Sequence, residues 1–275
     1  MKKLLISSIA AVLLISTTPL SSFAKDNDLL THVLNKDVQK YEGAYKKLTN
    51  SNFDKIFSEI VEFRKNNPEA NQEELNQKVM EITDKYSNND NSYSLMAADD
   101  DYDWPVPGTT LNDQEQELYD SNPFFGLYSL AAGKTAWDYT ASKFGRNGLG
   151  DRSDAFRHAS WNLILVGLTD DTWAKAWTDA HEYGAADYSK NNPHTKMDLH
   201  NNGEGRYKAA QEGINGYSDP DDVLYDVDRY IDELYFSGKL KRLVKKSNNS
   251  EKITGKEPWD QLKVINFTGR ESDFE

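Results

Sequence analysis

Residues 151–167 read DRSDAFRHASWNLILVG, a helical pattern in which charged and amide side chains are interspersed with strongly apolar ones. Asp154, His158 and Asn162 recur at i, i+4 and i+8, so a helix lines them along one stripe. The apolar residues, Phe156 among them, fall on other faces of the same helix. Polar groups inside a packed helix are costly unless they bind one another, a metal ion or a substrate. The stretch therefore predicts both a buried helix and a candidate site.

Helix signals surround this stretch on both sides. Residues 123–144 form a strongly apolar segment with small residues that allow another helix to approach closely, and GRNGLG ends it. Asp170, and Asp219 followed by Pro220, mark further helix starts. Only QLKVINF, residues 261–267, resembles a strand. The fold class is predicted to be mainly α: a multi-helix globular domain preceded by a small helical N-terminal region.

The first residues predict where the protein works. Lys2 and Lys3 precede a short apolar run that small residues end at Ala24, which is typical of a secretory signal peptide cleaved near that residue. The run is too short for a stable membrane span. The protein is therefore expected to be secreted (extracellular), with no membrane span after cleavage.

Composition divides the chain into four predicted segments. These are a signal peptide at 1–24, a helical N-terminal region at 25–90, a linker at 91–110 and an α-helical domain carrying the His, Asp and Asn motifs at 111–275. The linker has no hydrophobic period, so residues 25–90 are expected to be separable from the rest, and a protease should cut between Ser87 and Thr110.

The composition also restricts the chemistry. The chain has no cysteine, which excludes disulfides, thiolate metal ligands and a thiol nucleophile. Its net charge of −13 disfavours nucleic acid as a partner unless a local basic patch or bound cations offset that charge. No serine lies in a G-x-S-x-G elbow, so a serine hydrolase is the weaker enzyme hypothesis.

Two further polar segments, TDAHEYG at 178–184 and KMDLHNNGEGR at 196–206, also have helical spacing. The helix of the second segment is predicted to begin near Met197, after a loop that contains His194. Three helices with polar stripes are expected to converge on a common cavity, with Trp161 or Trp177 in its wall. The polar positions that define the predicted site are Asp154, Arg157, His158, Trp161 and Asn162 in the first segment, His181 and Glu182 in the second, and Asp198, His200, Asn201, Asn202 and Arg206 in the third.

Imidazoles and carboxylates are the usual ligands of zinc and manganese, and a bound metal lowers the pKa of its water to about 7. The predicted ligands of a divalent metal, which is zinc, manganese or calcium, are Asp154, His158, His181, Asp198 and His200. The predicted catalytic residues are His158, His181, Glu182 and Arg157. The residues predicted to contact substrate or to support the ligands are Asn162, Asn201, Asn202, Trp161 and Arg206.

Within this set, Glu182 is the predicted general base beside a metal-bound water, and Arg157 can pair with a carboxylate or hold a substrate anion. Without a metal, His158 or His181, oriented by an aspartate, would itself serve as the general base.

The runs DAFRHASWN, DAHE and MDLHNNGEGR together resemble the signature of an uncharacterised bacterial domain that occurs in secreted proteins and at the carboxyl ends of some toxin-like polypeptides. The resemblance covers roughly residues 110–240. It implies a secreted α-helical domain but no particular reaction. The motif residues that it implies as a site are Asp154, Arg157, His158, Asn162, His181, Glu182, Asp198, His200, Asn201 and Asn202.

Two hypotheses follow. The first is a secreted, metal-dependent hydrolase that acts on an ester or phosphodiester bond. The alternative is a non-catalytic secreted interaction module, in which the polar motifs are a structural network and the N-terminal helices bind a cell-wall or protein partner. Residues 25–90 also fit a pro-segment.

Overall fold

The computed structural model describes residues 41–87, 111–185, 188–216, 220–250 and 252–269. The predicted signal peptide, and the linker predicted at 91–110, lie outside these residues. The described part is mainly α-helical, as the sequence predicts. Its helices are α1 (Asn50–Asn66), α2 (Gln72–Ser87), α3 (Asp113–Ser121), α4 (Pro123–Phe144), α5 (Arg152–Leu168), α6 (Asp171–Gly184), α7 (Pro193–Glu212) and α8 (Pro220–Phe236).

Helix α5 lies at the centre of the molecule, and all of its residues are buried. Asp151 caps its N-terminus by accepting hydrogen bonds from the backbone N–H groups of Ser153 and Asp154. The helix packs against α4, α6, α7 and α8. Its polar side chains must therefore find most of their partners inside the protein, because they have little contact with solvent.

Helices α5 and α7 approach each other closely at Gly205. A Cβ atom at this position would lie 2.2 Å from the carbonyl oxygen of Ala159 and 3.0 Å from the Cβ of Asn162. Only glycine fits this contact, and it brings the polar stripes of the two helices face to face.

The two N-terminal helices share the core of the rest of the protein. Phe53, Ile56 and Val79 belong to the same continuous cluster of buried apolar residues as the residues of α4 and α5. The buried side chain of Asn76 accepts a hydrogen bond from the backbone N–H of Phe124, at 2.9 Å. This packing argues against a separable N-terminal unit, while the predicted segment boundaries remain predictions.

Helix α7 begins earlier than the sequence pattern indicated. Its first residue is Pro193, and Asn192 caps it by accepting from the backbone N–H of His194. The prediction that this helix starts near Met197 is therefore wrong, and His194 lies in its first turn, not in a loop. Asn before Pro at the first helical position is an ordinary start signal.

A β-hairpin packs against the first half of α7. Strand β1 (Lys241–Lys245) pairs antiparallel with β2 (Leu262–Asn266), so the strand predicted at 261–267 is present and has a partner that the pattern did not show. Leu243 and Leu262 form a small buried cluster with Met197 of α7. The backbone N–H of Leu243 also donates to the carbonyl of Gly150, at 2.6 Å.

Candidate functional site

Asp154 and His158 of α5 meet Asp198 of α7 in the buried contact between the two helices. Nε2 of His158 lies 3.5 Å from Oδ1 of Asp154 and 3.5 Å from Oδ1 of Asp198. One ligand atom from each of the three residues lies within 4.8 Å of the other two. All three residues are buried, and their side chains keep 1–10 % of their surface exposed. The sequence-predicted stripes of α5 and α7 thus face each other here.

The opposite edge of the His158 ring faces two other oxygens. Nδ1 lies 3.1 Å from Oδ1 of Asn202 and 3.5 Å from Oε1 of Glu182. The amide nitrogen of Asn202 donates to the same Glu182 oxygen at 3.3 Å. Both neighbours of Nδ1 are acceptors, so Nδ1 carries a proton and donates it.

A chain of hydrogen bonds that begins at Arg206 fixes the orientation of the Asn202 amide. Arg206 has only donors, and it donates to Oδ1 of Asn162 at 2.6 Å. The Asn162 amide nitrogen must therefore point the other way, and it donates to Oδ1 of Asn202 at 2.8 Å. Arg206, Asn162 and Asn202 together place an acceptor opposite Nδ1 of His158. This is the arrangement that orients imidazoles bound to metals through their other nitrogen.

The proton on Nδ1 determines what Nε2 of His158 presents to its neighbours. With the proton on Nδ1, a neutral ring presents a lone pair at Nε2 to two carboxylate oxygens. Three electron-rich atoms at this spacing repel one another in a buried site. Arg157 offsets the charge of Asp154, and a positive charge at Nε2, from either a second proton or a metal ion, would offset the repulsion between Nε2 and the two carboxylate oxygens.

Asp154 is held in its charged form by its neighbours. Its Oδ2 accepts from the backbone N–H of Gly150 at 2.6 Å, and its Oδ1 pairs with the guanidinium of Arg157. Burial alone would raise the pKa of Asp154, but the charges of Arg157 and His158 outweigh it and bring the pKa well below its ordinary value. Arg157 also donates to the carbonyl of Gly148 and lies over the ring of Trp137.

Glu182 behaves in the opposite way. Burial raises the pKa of its carboxyl above the ordinary value, and the nearby charges of His158 and His181 offset this only in part. Two neighbouring carboxyls of one cluster thus have pKa values moved in opposite directions.

We expect Asp154→Asn to destabilise the protein and Glu182→Gln not to. Asparagine at 154 leaves the Arg157 guanidinium buried without its counter-charge, which costs about 3–5 kcal/mol at neutral pH. Glutamine at 182 keeps an oxygen for Asn202 and removes a carboxylate that is costly to bury. The free energy of unfolding should then stay constant or rise by about 1 kcal/mol. Urea unfolding of metal-free protein measures both changes.

The pH dependence separates the two groups further. The pKa of Asp154 is lowered in the folded protein. Its ionised form therefore stabilises the fold above the pKa of the unfolded state, about 3.9, and this stabilisation is lost as pH falls through the folded pKa. The pKa of Glu182 is raised in the folded protein. Its protonated form therefore stabilises the fold below the pKa of the unfolded state, about 4.3, and this stabilisation is lost as pH rises through the folded pKa. Glu182→Gln should remove that loss at rising pH. A variant that is less stable than the wild type at about pH 8 would contradict this assignment.

His181 lies beside the cluster and has a partner that sequence reasoning missed. Its Nδ1 is 2.9 Å from Oε1 of Glu115, a buried residue of α3. The ring of Trp161 lies between the two histidines, with its centroid 6.3 Å from His158 and 5.3 Å from His181. The structure does not group His181, a predicted metal ligand, with Asp154, His158 and Asp198; it is a neighbouring imidazole paired with a carboxylate. Trp161 thus contacts both imidazoles, whereas Trp177 stacks on Trp173 in the core.

His200 and Asn201 face away from the cluster, towards the β-hairpin. His200 Nε2 lies 2.9 Å from the carbonyl of Lys239, and burial lowers the pKa of this imidazole. Asn201 accepts from the backbone N–H of Lys241 and donates to its carbonyl, both at 2.9 Å. His200, a predicted metal ligand, is therefore not brought to the cluster, because a residue two positions after Asp198 points to the other side of a helix. Asn201 holds β1 in place and does not contact the cluster.

One comparison with known proteins covers the helices that carry this site. Residues 116–223 match the model of a family described as a domain of unknown function (DUF6973). The matched region contains the whole of α4 to α7, the helices that carry the candidate site. Searches of curated proteins and of solved structures found no match. The family description assigns no activity, so a function has to be argued from the chemistry of the site.

Proposed function

We propose that this protein is a secreted, metal-dependent hydrolase that cleaves an ester or phosphodiester bond, with one divalent ion bound by Asp154, His158 and Asp198. One observation carries the proposal. The proton of His158 is committed to Nδ1 by Asn202, and its Nε2 faces two carboxylate oxygens at 3.5 Å. A metal ion at Nε2 turns this repulsion into coordination.

The spacing of the three residues fits such an ion. Donor atoms bound at about 2.0–2.2 Å in a tetrahedral zinc site lie about 3.3–3.6 Å apart. The two distances from His158 fall in this range. A nitrogen ligand favours zinc or manganese over calcium, because calcium takes six to eight oxygen ligands.

Three protein ligands leave a coordination position for water, which is the arrangement of catalytic rather than structural zinc sites. An ion held by these three residues would lower the pKa of a bound water to about 7 and would polarise the bond under attack. Arg157 balances the charge of Asp154. We assign the general base to His181, whose imidazole is oriented by Glu115, because Glu182 lies at the Nδ1 edge of His158 and accepts from Asn202.

The same contacts support a second candidate, a non-catalytic module in which the cluster is a structural network. If His158 is doubly protonated, its Nε2–H can donate to Asp154 or Asp198, and no ion is needed. The hydrogen bonds from Arg206 through Asn162 to Asn202 are all formed within the protein, which favours a structural network. The two candidates differ in one measurable quantity, the metal content.

Metal analysis of the purified protein therefore tests the proposal. We expect about one zinc or manganese per chain, and a melting temperature that a chelator lowers by about 5–15 °C, because a tightly bound ion adds about 3–4 kcal/mol. His158→Gln and Asp198→Asn should lose the metal. Hydrolysis of a nitrophenyl phosphodiester or ester should fall by at least about 100-fold in both.

His200→Gln is the matched control, since it removes a histidine two residues from Asp198 whose Nε2 faces the Lys239 carbonyl and Glu204 and not the cluster. It should keep both metal and activity. A wild-type protein without stoichiometric metal, with a melting temperature unaffected by chelation, would favour the structural network.

A further inference from the structure

The β-hairpin carries a positive charge that contrasts with the rest of the chain. Residues 239–263 contain eight basic and three acidic side chains, a net charge of +5, whereas the whole chain has a net charge of −13. Salt screens charges beyond about 8–10 Å, so a partner at the hairpin responds to this local charge and not to the distant acidic surface. The hairpin is thus the kind of local basic patch that a negatively charged partner requires.

Part of this charge is not neutralised by the protein. Lys245 forms an ion pair with Glu257 at 2.9 Å, which helps to fold the loop between β1 and β2. Lys252, Lys256 and Lys263 form no ion pair with any described residue, and Lys252 and Lys256 are exposed. These ammonium groups are available to an external anion.

Exposed apolar side chains lie on the same part of the surface. Leu149 is 47 % exposed and Trp259 is 42 % exposed. Leu149 contacts the β1–β2 loop, since a Cβ added at Gly255 would lie 2.6 Å from its Cδ2. Lys256 follows Gly255 directly, and Trp259 comes three residues later. A leucine, a tryptophan and lysines around one loop are the combination found where proteins touch the membrane interface.

The turn at residues 148–150 connects this surface to the candidate site. Leu149 is part of the turn that precedes α5, between Gly148, which accepts from Arg157, and Gly150, which donates to Asp154. The same Gly150 accepts from Leu243 of β1. A partner held by Leu149 and the hairpin would therefore lie next to the turn that positions Asp154.

We propose that Leu149, Trp259 and the lysines of the β1–β2 loop form a docking surface for an anionic phospholipid membrane. Lysines near an anionic lipid surface each strengthen binding, and the exposed apolar side chains add insertion that salt does not screen. Single-stranded nucleic acid fits less well, because it is recognised by rows of stacking aromatic rings, and an exposed leucine offers none. In the described residues, no helix has the length and hydropathy needed to cross a bilayer. The docking is peripheral and does not depend on the proposed hydrolysis.

Sedimentation with vesicles tests the docking surface. The protein should bind vesicles that contain about 30 % phosphatidylglycerol and should not bind pure phosphatidylcholine, with binding weakened as salt rises. Lys252→Glu/Lys256→Glu should weaken binding by at least about tenfold. Leu149→Ser/Trp259→Ser should also weaken it, and should leave a residual binding that salt abolishes completely. Inorganic phosphate at millimolar concentration should not compete.

Two controls separate this proposal from the previous one. Lys55→Glu/Lys134→Glu reverses two lysines on α1 and α4 and should bind vesicles like the wild type. His158→Gln should also bind normally, so a failure of the metal site leaves the docking result intact. Equal binding by Lys252→Glu/Lys256→Glu and the wild type would overturn the proposal. So would tight binding of a single-stranded oligonucleotide through these lysines in a protein that ignores vesicles.

Discussion

Gly205→Ala should unfold this protein or lower its melting temperature by at least about 10 °C, although the change adds a single methyl group to a helix. The new Cβ would lie 2.2 Å from the carbonyl oxygen of Ala159. A backbone oxygen of a buried helix cannot swing aside as a flexible side chain would, so α7 must move away from α5. The movement separates Asp198 and Asn202 from His158, so metal content should fall as well.

Gly203→Ala is the matched control on the same helix. A Cβ at Gly203 meets no atom within 4 Å. Alanine is favoured over glycine in a helix by about 1 kcal/mol, so this variant should melt at the same temperature or slightly higher. Thermal unfolding followed by circular dichroism compares the two. Equal melting temperatures for both alanine variants would show that the contact between α5 and α7 tolerates a shift.

Helical spacing predicted which residues within one helix lie on the same side of the candidate site. Asp154 and His158 are four residues apart on one helix, and so are Asp198 and Asn202, and the structure places each pair on the side of its helix that faces the cluster. The same rule excludes His200. At about 100° per residue, it points roughly 200° away from Asp198.

Contacts between distant segments could not be read from the sequence. Glu115 lies 66 positions before His181, and its local pattern with Asn112 is a capping box, which indicates only the start of a helix. Strand β1 reads KRLVK, and without alternation of polar and apolar residues it has no strand signature. Its position depends on hydrogen bonds to Asn201 and Gly150, which only the folded chain brings near.

A fragment that begins at residue 111 should fail to form a native structure, because the N-terminal helices complete its core. The apolar side chains that α1 and α2 bury include Phe53, Ile56, Ile60, Leu75, Val79 and Ile82. Each contributes about 1.5–3 kcal/mol, and the sum of about 9–18 kcal/mol is comparable to the whole stability of a domain. Without these helices, α3 and α4 would expose Tyr119 and Tyr128, whose rings contact Tyr45 and Phe57.

Cutting the chain after the N-terminal helices, instead of deleting them, should leave their contribution to the core in place. Cleavage between Ser87 and Thr110, where the sequence predicts a linker, should leave two pieces that elute together and unfold in one transition. Asn76 holds the start of α4 through the Phe124 N–H, and Gln72 donates to Asn122 at 2.8 Å, so the pieces stay aligned without the linker. The fragment 111–275 alone should show broad, non-cooperative unfolding and bind a hydrophobic dye. A sharp transition in that fragment would show that residues 25–90 are the separable unit that the linker composition predicts, with a core that the rest of the protein does not need.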